Sequence, residues 1–115
     1  MSYDLAVWEG KRPRTDKAAA AEYQALYATY VGGPRRVAPR PAIKRYVKAL
    51  LAKWPDLDED DDSPWSDAPL IDNARGPIVY FAMAYSRAAE ASAFAAKLAK
   101  QHGLVCFDPQ TSKRR

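Results

Sequence analysis

The sequence contains one cysteine, one histidine and no long apolar run. A single cysteine, Cys106, cannot form an intramolecular disulfide or a cysteine-rich zinc site, so the fold must depend on its hydrophobic core. No apolar segment approaches the roughly 20 residues that a membrane-spanning helix requires. The first ten residues, MSYDLAVWEG, lack the basic start of a secretory signal. We therefore expect a cytoplasmic protein without a membrane partner, folded as a single domain of residues 1–115.

The sequence also lacks the motifs of common enzyme classes. It has no Gly-x-Ser-x-Gly elbow, no phosphate-binding Gly-x-x-x-x-Gly-Lys-Ser loop and no dinucleotide-binding fingerprint. His102 is expected at a helix end, where it stabilises the helix dipole, and Cys106 is expected to be a packed thiol in a strand. We expect no catalytic residue, no metal ligand and no cofactor. An enzyme that uses Asp108, His102 or Cys106 stays open as an alternative.

The pattern of side chains predicts four strands. Residues 2–9 alternate in the way of a half-buried strand, and the nearly continuous apolar run at residues 77–85 indicates a buried central strand. A weaker strand is expected near Leu70 and Ile71, and the last strand at residues 104–109.

Three segments have apolar residues three or four positions apart, which is the spacing of an amphipathic helix. The first follows Thr15 or Asp16, either of which can accept bonds from its first free amides. The second begins at Pro41 and ends before Pro55. The third is expected to start at Ser86, as its N-cap, and to end at Gly103.

The remaining segments are irregular. Residues 34–41 contain three prolines and are expected to form a stiff connector, and the acidic, proline-rich residues 55–76 are expected to form a loop. Residues 111–115 are expected to be a frayed tail. The order of elements predicts an α+β fold, a small and mostly antiparallel sheet with about three helices on one face. This is a ferredoxin-like or related sandwich, in which the last helix joins two parallel strands.

Charge is distributed unevenly along the chain. The formal net charge is +4, although six of the seven residues at 56–62 are acidic. The remainder of the chain is therefore strongly basic, and a basic block at residues 35–48 precedes the acidic run.

The acidic run admits several interpretations. Its alternating aspartates resemble a calcium loop, but Asp61 stands where an EF-hand has glycine and Asp67 stands where it has glutamate. A catalytic carboxylate pair is disfavoured because contiguous acids have similar environments. The run could also be a solvated loop that aids solubility or neutralises the basic helix before it.

The interpretation that we prefer is a protein-binding surface, because a tryptophan beside dense charge is typical of an interface. The predicted partner-binding residues are Asp58, Glu59, Asp60, Asp61, Asp62 and Trp65. The basic block at residues 35–48 is an alternative site for a nucleic acid or another acidic ligand, with Tyr46 or Trp54 stacking on bases. Nucleic acid is disfavoured, because the neighbouring acids would repel a polyanion. The sequence does not predict the oligomeric state.

Four segments carry a resemblance to a known family. They are SYDLAVWEG at the start, SPW after the acidic run, YSRAAEA at the entry of the third helix, and GLVCFDPQ near the end. Over most of its length the chain resembles a family of small, mainly actinobacterial proteins of undefined function. Some relatives with a similar ending accompany polymorphic toxins. The resemblance thus implies an immunity protein, whose acidic run would enter the basic cleft of a cognate toxin.

Overall fold

Five strands form one antiparallel sheet in the computed structural model, which describes residues 2–115. The strands are β1 (Ser2–Trp8), β2 (Ala74–Arg75), β3 (Ile78–Ala84), β4 (Val105–Asp108) and β5 (Lys113–Arg114). Their order across the sheet is β2-β3-β1-β4-β5, and all neighbouring strands are antiparallel. β3 and β4 therefore run in the same direction on either side of β1, which agrees with the predicted strand-helix-strand unit.

Three α-helices accompany the sheet. They are α1 (Asp16–Leu26), α2 (Pro41–Lys53) and α3 (Ala88–Gln101). A π-helical turn (Tyr27–Val31) extends α1, and 3-10 turns precede β2 (Leu70–Asn73) and α3 (Tyr85–Arg87). The predicted α+β class, with a small antiparallel sheet and three helices, is confirmed. No helix within residues 2–115 has the length and apolarity needed to cross a membrane.

One face of the sheet packs against α2 and α3. Leu5 and Val7 of β1 point to this side, where they meet Tyr46 of α2 and Ala95 of α3. The buried Tyr46 hydroxyl donates a hydrogen bond of 2.8 Å to the Ala95 carbonyl oxygen, which satisfies its polar atom and ties the two helices together.

The opposite face of the sheet packs against α1, so the prediction that all helices share one face is wrong. Trp8 and Phe107 point to this side and contact Ala19 and Tyr23 of α1. The strands are apolar on both faces here, and a sheet of that kind needs a covering layer on each side. The Trp8 indole also donates to Glu22 Oε1 of α1 at 2.9 Å.

The C-terminal residues are part of the sheet, so the prediction of a frayed tail is wrong. Lys113 and Arg114 form β5 against β4, and the Arg115 amide donates to the Cys106 carbonyl at 2.8 Å. The Arg114 guanidinium also lies 2.8 Å from Asp16 Oδ1, in the first turn of α1. Contacts with distant segments hold this tail, and composition alone does not reveal them.

The starts of the weak strand and of α3 differ from those predicted. The weak strand begins at Ala74, because Leu70–Asn73 form a 3-10 turn with Leu70 buried in the core. Ser86 does not cap α3, which starts at Ala88 with no side-chain cap. By contrast, Thr15 does cap α1, since its hydroxyl oxygen accepts a hydrogen bond from the Ala18 amide at 3.0 Å.

Candidate functional site

The acidic loop, defined as residues 56–62, follows α2 and exposes most of its carboxylates. Asp58 to Asp62 are all exposed, whereas Asp56 is partly buried and its Oδ1 accepts from the Leu70 amide at 2.8 Å. Asp60 Oδ1 accepts from the Asp62 amide at 2.9 Å, and Asp62 Oδ1 lies 3.3 Å from Arg87 Nη1. One of these contacts lies within the loop, and the other two tie it to Leu70 and Arg87.

Three acidic side chains of this loop have no hydrogen bond or ion pair within residues 2–115. They are Asp58, Glu59 and Asp61. In the same part of the chain, no group of three or more His, Cys, Asp or Glu residues is placed to hold a metal ion. The loop therefore presents uncompensated negative charge to the solvent.

Trp65 is not part of this surface, so its prediction as a partner-binding residue is wrong. It is 1% exposed, its indole NH donates to the Trp54 carbonyl at 2.9 Å, and its ring packs edge-on against Phe81. The segment around it runs beside β3, with a bridge from Trp65 to Met83. This pairing turns the indole into the core.

Tyr85, directly after β3, is the most exposed large hydrophobic residue within residues 2–115. Its exposed fraction is 60%, and its ring meets Tyr3 edge-on at 6.1 Å between centroids. A shallow pocket of about 290 Å³ lies beside it, lined also by Ala88, Ala89 and Ser92. We call Tyr3, Tyr85, Ala88 and Ala89 the Tyr85 patch.

One arginine of the segment after β3 contacts the acidic loop. Arg87 follows Tyr85 by two residues, and its Nη1 donates to the Asp62 carbonyl oxygen at 2.7 Å. Arg87 also pairs with Glu90 of α3. Sequence reasoning missed Tyr85, although a tyrosine directly after an apolar strand and before a helix is a position that often stays at the surface.

The basic block at residues 35–48 has no free aromatic side chain to stack on a base. Tyr46 is fully buried, and Trp54 packs edge-on against Trp65 and Phe94. The stacking role predicted for Tyr46 is therefore wrong, whereas Trp54 is only partly buried, with Lys53 and Arg87 over its ring. Two of the cations are engaged in ion pairs, Arg36 with Asp72 at 3.3 Å and Arg40 with Glu9 at 2.6 Å.

The three side chains of the enzyme alternative are joined by no hydrogen bond within residues 2–115. His102 is exposed at the C-terminal end of α3, and its ring meets Tyr46 edge-on. Asp108 is buried and accepts hydrogen bonds from Tyr3, Gln110 and Thr111. Cys106 is buried in β4, and this burial raises the pKa of its thiol to about 12.

We expect Cys106 to react slowly with thiol reagents in the folded protein. With a pKa of about 12, only about one thiol in ten thousand is ionised at pH 8, and burial blocks access as well. The reaction with Ellman's reagent at pH 8 measures this, with the urea-unfolded chain as the fast control. Complete reaction of the native protein within seconds would contradict the burial of the Cys106 thiol. Cys106 would then again be a candidate nucleophile.

The fold and its surface define a small α+β protein with a five-stranded antiparallel sheet, a strongly acidic loop and an exposed tyrosine. Comparisons with protein-family models, curated proteins and solved structures gave no match.

Proposed function

We propose that the protein is a non-enzymatic binding module whose acidic loop and Tyr85 patch contact a basic surface on a partner protein. The observation that carries this proposal is the set of exposed carboxylates without internal partners, Asp58, Glu59 and Asp61. The carboxylates of such a cluster repel one another, because they carry charge of the same sign. A partner of opposite charge removes this repulsion.

The two parts of the surface have different roles in this proposal. The carboxylates attract the partner over a distance, which raises the association rate most at low salt, where screening is weak. Tyr85 contributes apolar area at the centre of the contact, since a rigid aromatic ring can bury a large surface at little entropic cost. It takes the role that the sequence suggested for Trp65.

The resemblance to the actinobacterial family favours one kind of partner. A toxin that cleaves nucleic acids or nucleotides needs a basic cleft, and a carboxylate-rich loop can occupy that cleft as an anionic mimic. The protein would then act as an immunity protein that blocks its cognate toxin. This part of the proposal rests on the resemblance, whereas the basic partner rests on the geometry of the loop.

Neutralising the free carboxylates should abolish partner capture. We expect the Asp58→Asn, Glu59→Gln, Asp61→Asn variant to lose the partner that the wild-type chain captures from host extract at low salt, because each change removes one attractive charge. Tyr85→Ala should weaken the same complex by about tenfold or more. Quantitative pull-down followed by titration of the identified partner measures both effects.

The matched control is Asp67→Asn, which removes an exposed acid that lies outside the acidic loop and has no ion pair within residues 2–115. Asp67→Asn should bind the partner with the affinity of the wild-type chain. Because the triple variant removes three charges and the control removes one, the affinities of the single variants Asp61→Asn and Asp67→Asn are also compared. If the triple variant captures the same partner with unchanged affinity, the acidic loop is not the binding surface.

A further inference from the structure

A groove beside the C-terminal half of α3 is lined by positive charge. Its volume is about 760 Å³, within the range of roughly 300–1,000 Å³ that small-molecule sites occupy. Four cationic side chains and no acidic side chain line it. They are Arg12, Lys97, Lys100 and Arg115, and we call this cavity the basic groove.

Three separate segments bring these cations together. Lys97 and Lys100 lie three residues apart on α3, so they share one helical face. Arg12 comes from the connection between β1 and α1, and its Nη1 donates to the main-chain oxygen of Arg115 at 3.0 Å. Arg115 is itself held beside β4, where its amide donates to the Cys106 carbonyl. The groove is therefore built by the fold and is not a chance cluster along the chain.

Little of this charge is compensated inside the protein. Arg115 lies 3.7 Å from Asp108 Oδ2, and its Nη1 lies 3.4 Å from the Ser92 hydroxyl, so part of its charge is neutralised. Lys97 and Lys100 have no ion pair within residues 2–115, whereas Arg12 is engaged by the main-chain oxygen of Arg115. A cleft lined by one sign of charge concentrates ions of the opposite sign.

The rest of the lining is apolar or small. Ala96, Leu104 and Val105 contribute carbon surface, and Gly103 leaves open space because no atom lies within 4 Å of the position that a side chain would occupy there. Gly103 also has φ +70, a conformation that favours glycine. A ligand in this groove would thus meet charge at the rim and an apolar surface below it.

We propose that the basic groove binds a small organic anion with two or more negative charges, in particular an organic phosphate. A single carboxylate would leave most of the cations uncompensated. The arginine fork matches the oxygen geometry of phosphate, and the two lysines add mobile charge. The carbon part of the ligand rests on Ala96, Leu104 and Val105. This site shares no residue with the acidic loop, so it stands apart from the proposed function.

The test uses the full chain and three probes, ATP, inorganic pyrophosphate and adenosine. In an NMR titration at low salt, ATP should shift the amide signals of residues 103–106 in a saturable way. Its dissociation constant should be lower than that of adenosine by about tenfold or more, because the charge carries most of the binding. Pyrophosphate should bind more weakly than ATP, since it makes no contact with the apolar floor.

Two double variants that change the net charge equally distinguish binding in the basic groove from general electrostatic attraction of ATP to the protein. Lys97→Glu with Lys100→Glu should weaken ATP binding by about tenfold or more. Lys44→Glu with Lys48→Glu, on the exposed side of α2, should change it by less than about twofold. All four lysines are exposed, so both variants should retain the wild-type spectrum outside the changed positions. Equal losses in both variants, non-saturating shifts, or adenosine binding as tight as that of ATP would overturn the proposal.

Discussion

Replacing Trp65 with alanine is expected to lower the free energy of unfolding by about 3–5 kcal/mol. The indole is 1% exposed and packs against Trp54 and Phe81, so its removal leaves a cavity in the hydrophobic core. Small domains are stable by only about 5–15 kcal/mol, and this change is therefore a large part of the total. Urea denaturation followed by circular dichroism measures it.

Trp65→Phe is the milder companion of this variant. It keeps an aromatic ring in the core but removes the hydrogen bond from the indole NH to the Trp54 carbonyl, which should cost about 1–2 kcal/mol. This variant stays measurable even if the alanine variant does not fold. If the free energy of unfolding of Trp65→Ala lies within about 1 kcal/mol of the wild-type value, the indole is not part of the core.

Replacing Asp108 with asparagine is expected to cost about 1–3 kcal/mol at pH 7. The buried carboxylate accepts hydrogen bonds from the Tyr3 hydroxyl and from the Gln110 and Thr111 amides, and it lies 3.7 Å from Arg115. An asparagine of the same shape can accept at only one of its two positions and places an NH₂ group where the carboxylate accepts. Asp67→Asn, at an exposed site, is the matched control and should leave stability unchanged.

The cost of Asp108→Asn should depend on pH. Burial alone would raise the pKa of Asp108, but the hydrogen bonds from Tyr3, Gln110 and Thr111 outweigh it and hold the pKa below its usual value. A carboxylate with a lowered pKa in the folded state stabilises the protein above the unfolded pKa, near 4, and this contribution is lost as the pH falls through the folded value. The stability gap between wild type and variant should therefore narrow below about pH 4. A gap that stays constant between pH 7 and pH 2.5 would contradict this account.

The same cluster shows why the C-terminal turn could not be assigned from the sequence. Asp108-Pro109-Gln110 reads equally well as a strand-ending turn or a contact site. In the structure, the Gln110 side chain makes two hydrogen bonds to the backbone of Asp4, at 2.7 Å and 2.8 Å. These contacts join residues more than one hundred positions apart, and no local pattern reports them.

Local patterns were sufficient for the elements themselves. The alternation at the N-terminus predicted β1 to within one residue. Pro41 and Pro55 predicted where α2 starts and ends, and the helix spans Pro41–Lys53. These signals are reliable because strand and helix periods depend only on residues a few positions apart. The density of acids at residues 56–62, and its contrast with the basic chain around it, is likewise a property of composition.

Exposure was decided by tertiary structure. The sequence placed Trp65 at the surface because it follows the acids, yet pairing with β3 turns it inward, whereas Tyr85 is 60% exposed. The basic groove likewise needs Arg12 and Arg115 beside α3, and the chain separates them by most of its length. Which side chains face solvent, and which cations meet, depends on strand pairings between distant segments. The sequence lists the residues that take part in those pairings but does not state how they are matched.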